Sequence, residues 1–408
     1  MKCVYCEFSG AQAILDLGNQ PPANSLLEQK TEEPERFFPL RLIFCSNCLL
    51  CFTEQVVSSE ELFTKSYPYM SGYSDAWLNH CRSFVHELEL EFNLSPSSVV
   101  CEVATNDGVL LDMFARQGVS CYGVEPTQLA ADIAIAKGLK VFTMFLGEKT
   151  AAEIVGNGTS RCDVLVANNV LAHVPDIRDF LVGCKTLMQD DGIATFEFQH
   201  LGSLIENDQF DTIYHEHFSY ISLGFLARAV QDVGLEVFDV EKLPTHGGSL
   251  RVYVQKLHQG KYRVSHRVES LLTEERDLGL FDIANFQRFS MRVQDIAQEF
   301  QNFLLACNRE GSLVVGYGAA AKANTILNYC AINSDLLPFV ADRNPYKQGK
   351  LLPGSHIPVV GVDRLEELNP DYVVILAWNL RDEVHDQLGH LRGNGTRFVT
   401  SIPKLVVT

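Results

Sequence analysis

Four titratable side chains stand at consecutive positions in the segment TIYHEHFSY, residues 212–220: Tyr214, His215, Glu216 and His217. A zinc-binding helix has histidines four apart with a glutamate between them, whereas these two are two apart, which suits one face of an extended segment. Proton transfer fits better, because histidine titrates near neutrality and a neighbouring carboxylate can hold one tautomer and raise its basicity. His173, from the loop after a predicted strand, joins this cluster. The alternative is a group of structural histidines.

The elements that must position this cluster follow an alternating pattern. Residues 98–256 alternate short β-branched runs with helical stretches, which predicts a parallel sheet with helical crossovers. Two further runs, LEVFDVEKL and SLRVYVQKL, are joined by PTHGGS and predict a closing hairpin. A helical pattern from about Leu62 to Glu91 precedes the sheet, and the cluster follows its last predicted parallel strand, GIATFEF.

A turn of small residues after the first strand of this sheet is a candidate cofactor site. It runs Glu102-Val-Ala104-Thr-Asn106-Asp107-Gly108 and lies between a predicted strand and a predicted helix, where a glycine-rich nucleotide loop would lie. Alanine and asparagine stand in the first two glycine positions and would crowd a pyrophosphate. They suit a ligand that brings no phosphate to this turn, such as S-adenosylmethionine.

Five further positions extend the predicted cofactor site. Glu125 ends the next strand, where a carboxylate can accept hydrogen bonds from both ribose hydroxyls. Phe145 and Leu146 can form an apolar wall for adenine, and Asn168 and Asn169 end the fourth strand at the carboxyl edge, where open α/β sheets bind ligands. The alternative is an α/β domain that binds NAD or no cofactor.

Two Cys-x-x-Cys pairs predict a metal site near the N-terminus: Cys3 with Cys6, and Cys45 with Cys48. Four thiolates can close a tetrahedral zinc site that leaves no position for water, which predicts a structural role. Cys51 has the same spacing from Cys48 and can replace it as a ligand, although symmetry favours Cys48. The alternative is a pair of buried turns with free thiols.

Composition limits the class of protein. The chain has 408 residues, 46% of them hydrophobic and 21% charged, which predicts a globular protein with two large domains and smaller attachments. A formal charge of -18 without a basic run argues against nucleic acid as a partner. The N-terminus has no signal-peptide pattern and no apolar run is long enough for a bilayer, which predicts a cytoplasmic protein without membrane association. Twelve cysteines diluted over this length favour reduced thiols.

Taken together, these motifs resemble those of the sugar C-methyltransferases of deoxysugar biosynthesis. The resemblance covers essentially the full length and rests on CxxC with CSNC, EVATNDG, NNVLAHVPD, YHEHFSY, THGGSLR and GYGAAAKANT. It implies a class I methyltransferase Rossmann-like sheet, a second C-terminal Rossmann-like α/β domain and a small N-terminal zinc-binding domain. The predicted divisions are 1–60 for zinc, 61–260 for S-adenosylmethionine, 261–310 for a helical connector and 311–408 for the C-terminal domain.

The resemblance also implies a reaction. The acceptor would be a nucleotide-linked, commonly dTDP-linked, 4-keto-deoxysugar that is methylated at the carbon next to the ketone. Tyr214, Glu216, His217 and His173 match the family's active-site tyrosine, glutamate and histidines. His217 is the leading candidate for the base among Tyr214, His217 and His173. Oriented by Glu216, it would take the proton, and His173 or Tyr214 would donate to the enolate oxygen.

Two tyrosines and the C-terminal turn complete the expected site. The resemblance suggests that Tyr67 or Tyr69 closes over it, and leaves the role of His215 open. The small residues before Lys322 form, at the start of a predicted helix, a cradle for the acceptor's diphosphate. Asn324 belongs to this turn, and Arg343 follows the next strand, from which it can reach the nucleoside.

Three alternatives compete with this reading. The turn at 316–325 can be purely structural, or can hold a nicotinamide dinucleotide in a nucleotide-sugar reductase. The whole chain can also be a non-catalytic binding module stapled by zinc. For the sugar C-methyltransferase interpretation, a monomer or a small homo-oligomer is expected.

Overall fold

The computed structural model describes residues 1–28, 34–62, 72 and 75–408, so the expected roles of Tyr67 and Tyr69 lie outside the described residues. The described residues form seventeen strands: β1 (Gln12–Gln20), β2 (Phe38–Phe44), β3 (Cys51–Thr53), β4 (Val99–Val103), β5 (Ser120–Val124), β6 (Val141–Phe142), β7 (Cys162–Asn168), β8 (Met188–Gln199), β9 (Ser219–Tyr220), β10 (Leu235–Leu243), β11 (Ser249–Lys256), β12 (Val314–Tyr317), β13 (Val340–Ala341), β14 (Val359–Val360), β15 (Tyr372–Ile375), β16 (Arg397–Thr400) and β17 (Val406–Val407).

The same residues form thirteen α-helices: α1 (Ser59–Leu62), α2 (Asp75–Phe92), α3 (Val109–Arg116), α4 (Gln128–Ala136), α5 (Glu148–Gly156), α6 (Ile177–Leu187), α7 (Leu201–Glu206), α8 (Leu223–Asp232), α9 (His266–Asp277), α10 (Ile283–Glu310), α11 (Ala321–Tyr329), α12 (Asp363–Leu368) and α13 (Arg381–Leu388). Among them, none has both the length and the apolar character that a membrane crossing needs.

The central sheet has seven strands in the order β10-β11-β8-β7-β4-β5-β6. Its parallel part is apolar and buried. Val164, Leu165 and Val166 of β7 are all at most 2% exposed, because helices cover both faces of the sheet. The predicted hairpin is present: β10 and β11 pair antiparallel, and β11 joins the sheet beside β8. The sheet order reverses between β4 and β7, and the carboxyl ends of these two strands therefore define the expected ligand crevice.

A smaller sheet lies at the N-terminal end of the chain, in the order β1-β2-β3-β9. Its last strand comes from far along the sequence, because Cys51 and Phe52 of β3 pair with Tyr220 and Ser219 of β9. The TIYHEHFSY segment therefore runs directly into the sheet of the cysteine-rich domain.

The C-terminal sheet has the order β14-β13-β12-β15-β16-β17, and only β17 is antiparallel among its pairings. This order matches the expected second Rossmann-like unit. The 28-residue helix α10 precedes it, begins at an Asp282 side-chain cap and ends at Gly311 in the left-handed region. Its apolar face packs on the N-terminal sheet, with the Phe44 and Phe286 ring centroids 4.6 Å apart.

Candidate active site

His217 is held in one tautomer by a backbone carbonyl. Its Nδ1 lies 3.0 Å from the Thr212 carbonyl oxygen, which can only accept, so Nδ1 carries the proton. Its Nε2 lies 2.8 Å from the Tyr214 hydroxyl, and burial together with His173 keeps the pKa of His217 well below its usual value. The neutral ring therefore presents an unprotonated Nε2 next to a hydroxyl donor, which is the arrangement that a general base needs.

The expectation that Glu216 orients His217 is wrong. One carboxylate oxygen of Glu216, Oε1, accepts hydrogen bonds from the backbone N and the Nδ2 of Asn24, at 2.9 and 3.0 Å. Burial raises the pKa of Glu216, and the Asn24 bonds offset part of this increase. The side chain thus points toward the N-terminal domain. The extended segment that the histidine spacing favours is not present: residues 214–217 form a turn, in which the His217 backbone N donates to the Tyr214 carbonyl oxygen at 2.9 Å.

His173 lies beside His217, with the two ring centroids 4.8 Å apart. Its Nδ1 donates to the Glu216 carbonyl oxygen at 2.6 Å, and burial lowers its pKa. His215 is buried elsewhere: its Nε2 lies 3.3 Å from the Pro39 carbonyl oxygen, which gives it a structural contact with β2. Three of the predicted side chains, Tyr214, His217 and His173, thus converge at one place.

The four predicted cysteine ligands converge near the N-terminus. The sulfurs of Cys3, Cys6, Cys45 and Cys48 all lie within 4.8 Å of one another. Contact with the Cys48 sulfur lowers the pKa of Cys3 to about 5, so one thiolate forms readily. Cys51 is fully buried in β3, and the four-sulfur group contains Cys48 in its place. The set suits a closed structural zinc site.

The turn after β4 has the strained backbone of a ligand-binding loop. Ala104, Asn106 and Gly108 all have positive φ, at 55°, 52° and 78°. A Cβ at Gly108 would lie 2.6 Å from a Leu139 methyl group and 2.8 Å from the Ala134 Cβ, so glycine is required where α3 begins. The turn therefore brings its backbone close to the crevice between β4 and β7.

The acidic residue at the end of β5 supports this turn. Oε2 of Glu125 accepts a hydrogen bond from the Asn106 backbone N at 2.8 Å, and Oε1 accepts from the Thr127 backbone N at 2.8 Å. Burial raises the pKa of Glu125, although the Thr127 and Asn106 bonds oppose the shift. A carboxylate oxygen can accept two hydrogen bonds, so Oε2 can still accept one from a ribose hydroxyl.

Two polar side chains near this turn are buried without partners among the described residues. Both amide atoms of Asn168 and the Oε2 of Glu102 have no hydrogen bond there. Such groups are costly to bury, so they point to a polar ligand at the carboxyl ends of β4 and β7. Asn169 has a φ of 56°, and Phe145 is 41% exposed with Leu146 beside it, as an adenine wall would be before ligand binding. The residues fit S-adenosylmethionine.

A charged cluster supports the edge of the crevice behind Asn168. Glu197, which pairs with Asn168 across the sheet, accepts hydrogen bonds from His80 and Arg251 at 2.8 and 3.0 Å. Glu197 is fully buried and Arg251 is 1% exposed. Burial alone would raise the pKa of Glu197, but His80 and Arg251 outweigh it and lower that pKa.

Lys322 reaches the surroundings of His217 from the C-terminal unit. Its Nζ lies 2.7 Å from Asn379 Oδ1 and 4.6 Å from the centre of the Trp378 ring. Burial lowers the pKa of Lys322, and the carboxylate of Asp211 opposes that shift. The same Lys322 charge helps to lower the pKa of His217, so these two groups are electrostatically close.

The turn before Lys322 is only partly open to a phosphate. The Ala319 backbone N already donates to Asp342 Oδ2 at 2.7 Å. Helix α11 begins after Ala320 without a side-chain cap, so its first N–H groups are the ones left for an anion. Arg343 is exposed and its NH1 lies 3.6 Å from Glu383, at the same edge of the sheet.

Asn324 lies in a domain contact rather than in the crevice. It is 2% exposed, and its Nδ2 donates to the Ala23 carbonyl oxygen. One residue on, Thr325 Oγ1 donates to the Ile213 carbonyl oxygen at 2.8 Å. The expectation of a substrate contact from Asn324 is therefore replaced by a role in joining α11 to the N-terminal segment.

Sequence reasoning missed four contacts that shape the site: the Thr212 carbonyl, Asn24, Asp211 and Trp378. A backbone carbonyl has no sequence signal. Asn24 lies in proline-rich irregular sequence that gave no reason to place it near Glu216. Asp211 in FDT and Trp378 in AWN were visible only as polar or amphipathic residues at the ends of apolar runs.

Family models match three consecutive parts of the chain. A zinc binding domain matches residues 3–63, a methyltransferase domain matches residues 77–240, and a C-methyltransferase C-terminal domain matches residues 244–403. Their order agrees with the order of the four-cysteine group, the seven-stranded sheet and the C-terminal sheet described above.

One known protein is similar to this chain over its full length. The C-methyltransferase NovU of Streptomyces niveus is 31% identical, over 99% of this chain and 96% of its own length. A ubiquinone biosynthesis O-methyltransferase of Pasteurella multocida is 28% identical over 24% of this chain and 44% of its own length. Among solved structures, the magnesium protoporphyrin IX methyltransferase of Synechocystis with bound SAM covers 44% of this chain and 79% of its own, at 16% identity and a TM-score of 0.33.

The cysteine group, the strained cofactor turn and the full-length similarity to NovU agree with one another. The chain therefore carries a zinc-binding domain and is an S-adenosylmethionine-dependent methyltransferase. It belongs to the family of C-methyltransferases.

Proposed function

We propose that the chain methylates a nucleotide-linked 4-keto-deoxysugar, commonly dTDP-linked, at the carbon next to the ketone, with His217 as the base. The geometry of His217 carries the proposal: Nδ1–H is fixed on the Thr212 carbonyl and Nε2 faces the Tyr214 hydroxyl. A carbon next to a ketone is acidic enough for an imidazole placed in this way to remove its proton.

The reaction begins with proton transfer. Nε2 of His217 takes the proton from the carbon, and the electron pair left behind delocalises onto the ketone oxygen. The Tyr214 hydroxyl, which occupies Nε2 in the described structure, donates to this developing oxyanion. The other expected donor, His173, keeps the single proton of its neutral ring on Nδ1, where the Glu216 carbonyl oxygen accepts it, so it has no N–H to offer. Glu216 fixes the loop through Asn24 and does not contact the proton in transit.

S-Adenosylmethionine, when bound, supplies an electrophilic methyl group to this carbon. We assign its ribose to Glu125, its polar end to Asn168 and the turn from Glu102 to Gly108, and its adenine to Phe145 and Leu146. The orphaned amide of Asn168 supports this assignment most directly, because a bound ligand would satisfy it.

The acceptor's charged end fits the C-terminal unit. Lys322 and the uncapped start of α11 offer a cation and free N–H groups to a diphosphate, and Arg343 lies farther along the same edge. None of the twelve cysteines forms a disulfide, and four of them form the zinc group, which supports a reducing compartment such as the cytoplasm.

Hydrogen exchange in heavy water tests the base separately from methyl transfer. The protein is incubated with S-adenosylmethionine and a panel of nucleotide 4-ketosugars, and mass spectrometry follows the gain of one methyl group and of deuterium next to the ketone. We expect both for the true acceptor. His217→Asn should abolish the exchange, and an unchanged exchange rate in that variant would refute the assignment of the base.

His215→Asn is the matched control, because His215 stands two positions away and contacts the Pro39 carbonyl instead. It should retain most of the exchange. Circular dichroism of both variants checks that each is folded, so that a loss specific to His217→Asn reports on chemistry.

A further inference from the structure

One hydrogen bond joins the C-terminal unit to the loop that carries His217. The indole Nε1 of Trp378 donates to Asp211 Oδ2 at 2.7 Å. Asp211 is fully buried in the short 3-10 turn Phe210–Thr212, and its Oδ1 has no hydrogen-bond partner among the described residues. A hydrogen bond between an indole N–H and a buried carboxylate is a strong, directional contact, because its acceptor is charged.

This turn ends at the atom that fixes the base. Thr212 follows Asp211 directly, and its carbonyl oxygen accepts the Nδ1–H of His217 at 3.0 Å. A second contact from the same unit acts one residue later, since Thr325 Oγ1 donates to the Ile213 carbonyl oxygen at 2.8 Å. Two bonds from the C-terminal unit thus hold the three-residue stretch on which the tautomer of His217 depends.

Trp378 also touches the predicted phosphate-binding side. Lys322 Nζ lies 4.6 Å from the centre of its ring, within the range of a cation–π contact, and is hydrogen-bonded to the next residue, Asn379. The ring also lies against the THGG turn, because a Cβ at Gly247 would lie 2.4 Å from it. The indole therefore lies close to three features: the Lys322 cation that is proposed to bind the acceptor, the THGG turn of the methyltransferase sheet, and the loop that carries His217.

We propose that Asp211 and Trp378 are positioning residues that make the orientation of His217 depend on the C-terminal unit. This rests on the proposed function for its catalytic consequence, although the orientation itself can be measured without any acceptor. The buried Asp211 carboxylate and the indole N–H set the position of the Thr212 carbonyl, and that carbonyl keeps the proton of His217 on Nδ1. Neither side chain needs to touch the reacting carbon.

The test uses the full-length, zinc-loaded chain labelled with ¹⁵N in its histidines. Two-bond ¹H–¹⁵N correlation spectra distinguish the Nδ1–H from the Nε2–H tautomer, and the His217 signal is assigned by its absence in His217→Asn. We expect the Nδ1–H tautomer in the wild type. Trp378→Phe keeps an aromatic ring but removes the donor, so it should give a mixture of tautomers.

Kinetics supply the second measurement. In the exchange assay, kcat of Trp378→Phe should fall about 10-fold to 100-fold, the range that follows misplacement of a catalytic group. The KM for the acceptor should change less than threefold. Asp211→Asn should show the same split, and it serves as a second variant should Trp378→Phe be poorly folded. Trp77→Phe, the same change at the other tryptophan of the chain, should leave the His217 tautomer unchanged.

The outcomes separate the two proposals. A Trp378→Phe chain that is folded, with the wild-type tautomer and an unchanged kcat, overturns the positioning role. A wild type that exchanges no hydrogen with any 4-ketosugar, but whose His217 tautomer still changes in Trp378→Phe, supports the positioning role and counts against the proposed function alone.

Discussion

Removal of zinc should disable the active-site loop although the metal lies outside it. The Cys3–Cys48 and Cys6–Cys45 sulfurs are each 3.6 Å apart. A tetrahedron with Zn–S bonds of about 2.3 Å has S···S edges of about 3.8 Å, so these two edges already match a zinc site, and all four sulfurs lie within 4.8 Å of one another. One zinc per chain is expected.

The size of this effect depends on how much of the stability of the small N-terminal sheet comes from zinc. Structural zinc binding contributes about 10–16 kcal/mol in small metal domains, which equals or exceeds the roughly 5–15 kcal/mol that holds an ordinary domain together. Loss of the ion should therefore unfold strands β1 to β3. Strand β9 then loses its partner, and His217 loses the hydrogen bond from Thr53 Oγ1 to its carbonyl oxygen, which measures 2.9 Å.

The assay combines metal analysis with hydrogen–deuterium exchange and methyl transfer. Chelation of zinc should remove exchange protection from residues 38–53 and from residues 214–221, and should abolish methyl transfer with the cofactor turn still protected. Cys48→Ala should have the same effect. Cys51→Ala is the control, because Cys51 lies outside the four-sulfur group, and should keep its zinc. A zinc-free chain that retains protection in residues 38–53 would refute this reasoning.

Four further predictions concern single side chains. Because burial and a neighbouring histidine lower the pKa of His217, the base stays neutral below pH 6.5, and the exchange rate should show no acid limb near that pH; a limb at 6.5 would contradict the geometry. Arg251→Met leaves the buried Glu197 carboxylate without its cation and should cost about 3–5 kcal/mol in urea unfolding. In the wild type, the lowered pKa of Glu197 means that its ionised carboxylate stabilises the folded protein at pH values above the ordinary glutamate pKa of about 4.3. This stabilisation is lost as the pH falls through the lower pKa of the folded state. Measurement of the free energy of unfolding during an acid titration checks this. Glu125→Gln should weaken S-adenosylmethionine binding about 10-fold to 100-fold by calorimetry, whereas Asp342→Asn, at the matching position of the second unit, should leave that affinity unchanged.

Features that depend on neighbours in the sequence could be predicted. The spacing of the cysteine pairs is sufficient to suggest a four-sulfur site, because each Cys-x-x-Cys turn brings its own two sulfurs together. The small residues between β4 and α3 likewise predict a close backbone approach, which the positive φ of Ala104 and Asn106 bears out. Residues 98–256 alternate β-branched runs with helical stretches, and this pattern among sequence neighbours predicted the parallel sheet and its hairpin.

Features that depend on distant residues could not be predicted. Glu216 and His217 are adjacent, which made a carboxylate–imidazole pair attractive, but in the turn at residues 214–217 the carboxylate is bound by Asn24, 192 positions earlier. The backbone carbonyl that does orient His217 carries no side-chain signature. Asn324 was placed near a phosphate because of its turn, whereas packing of α11 against the N-terminal segment buries it. In each case a tertiary contact decided the outcome.

The two-residue strand β9 bears on how this protein can be recombined with its relatives. A hybrid that took residues 1–60 from another chain would contain three strands evolved to pair with a different fourth strand. It would also replace Thr53, whose hydroxyl donates to the His217 carbonyl oxygen, with the side chain of the other protein. Such grafts should function only when the stretch around Ser219–Tyr220 is transplanted along with the cysteine-bearing module, so the natural unit of exchange is discontinuous in sequence.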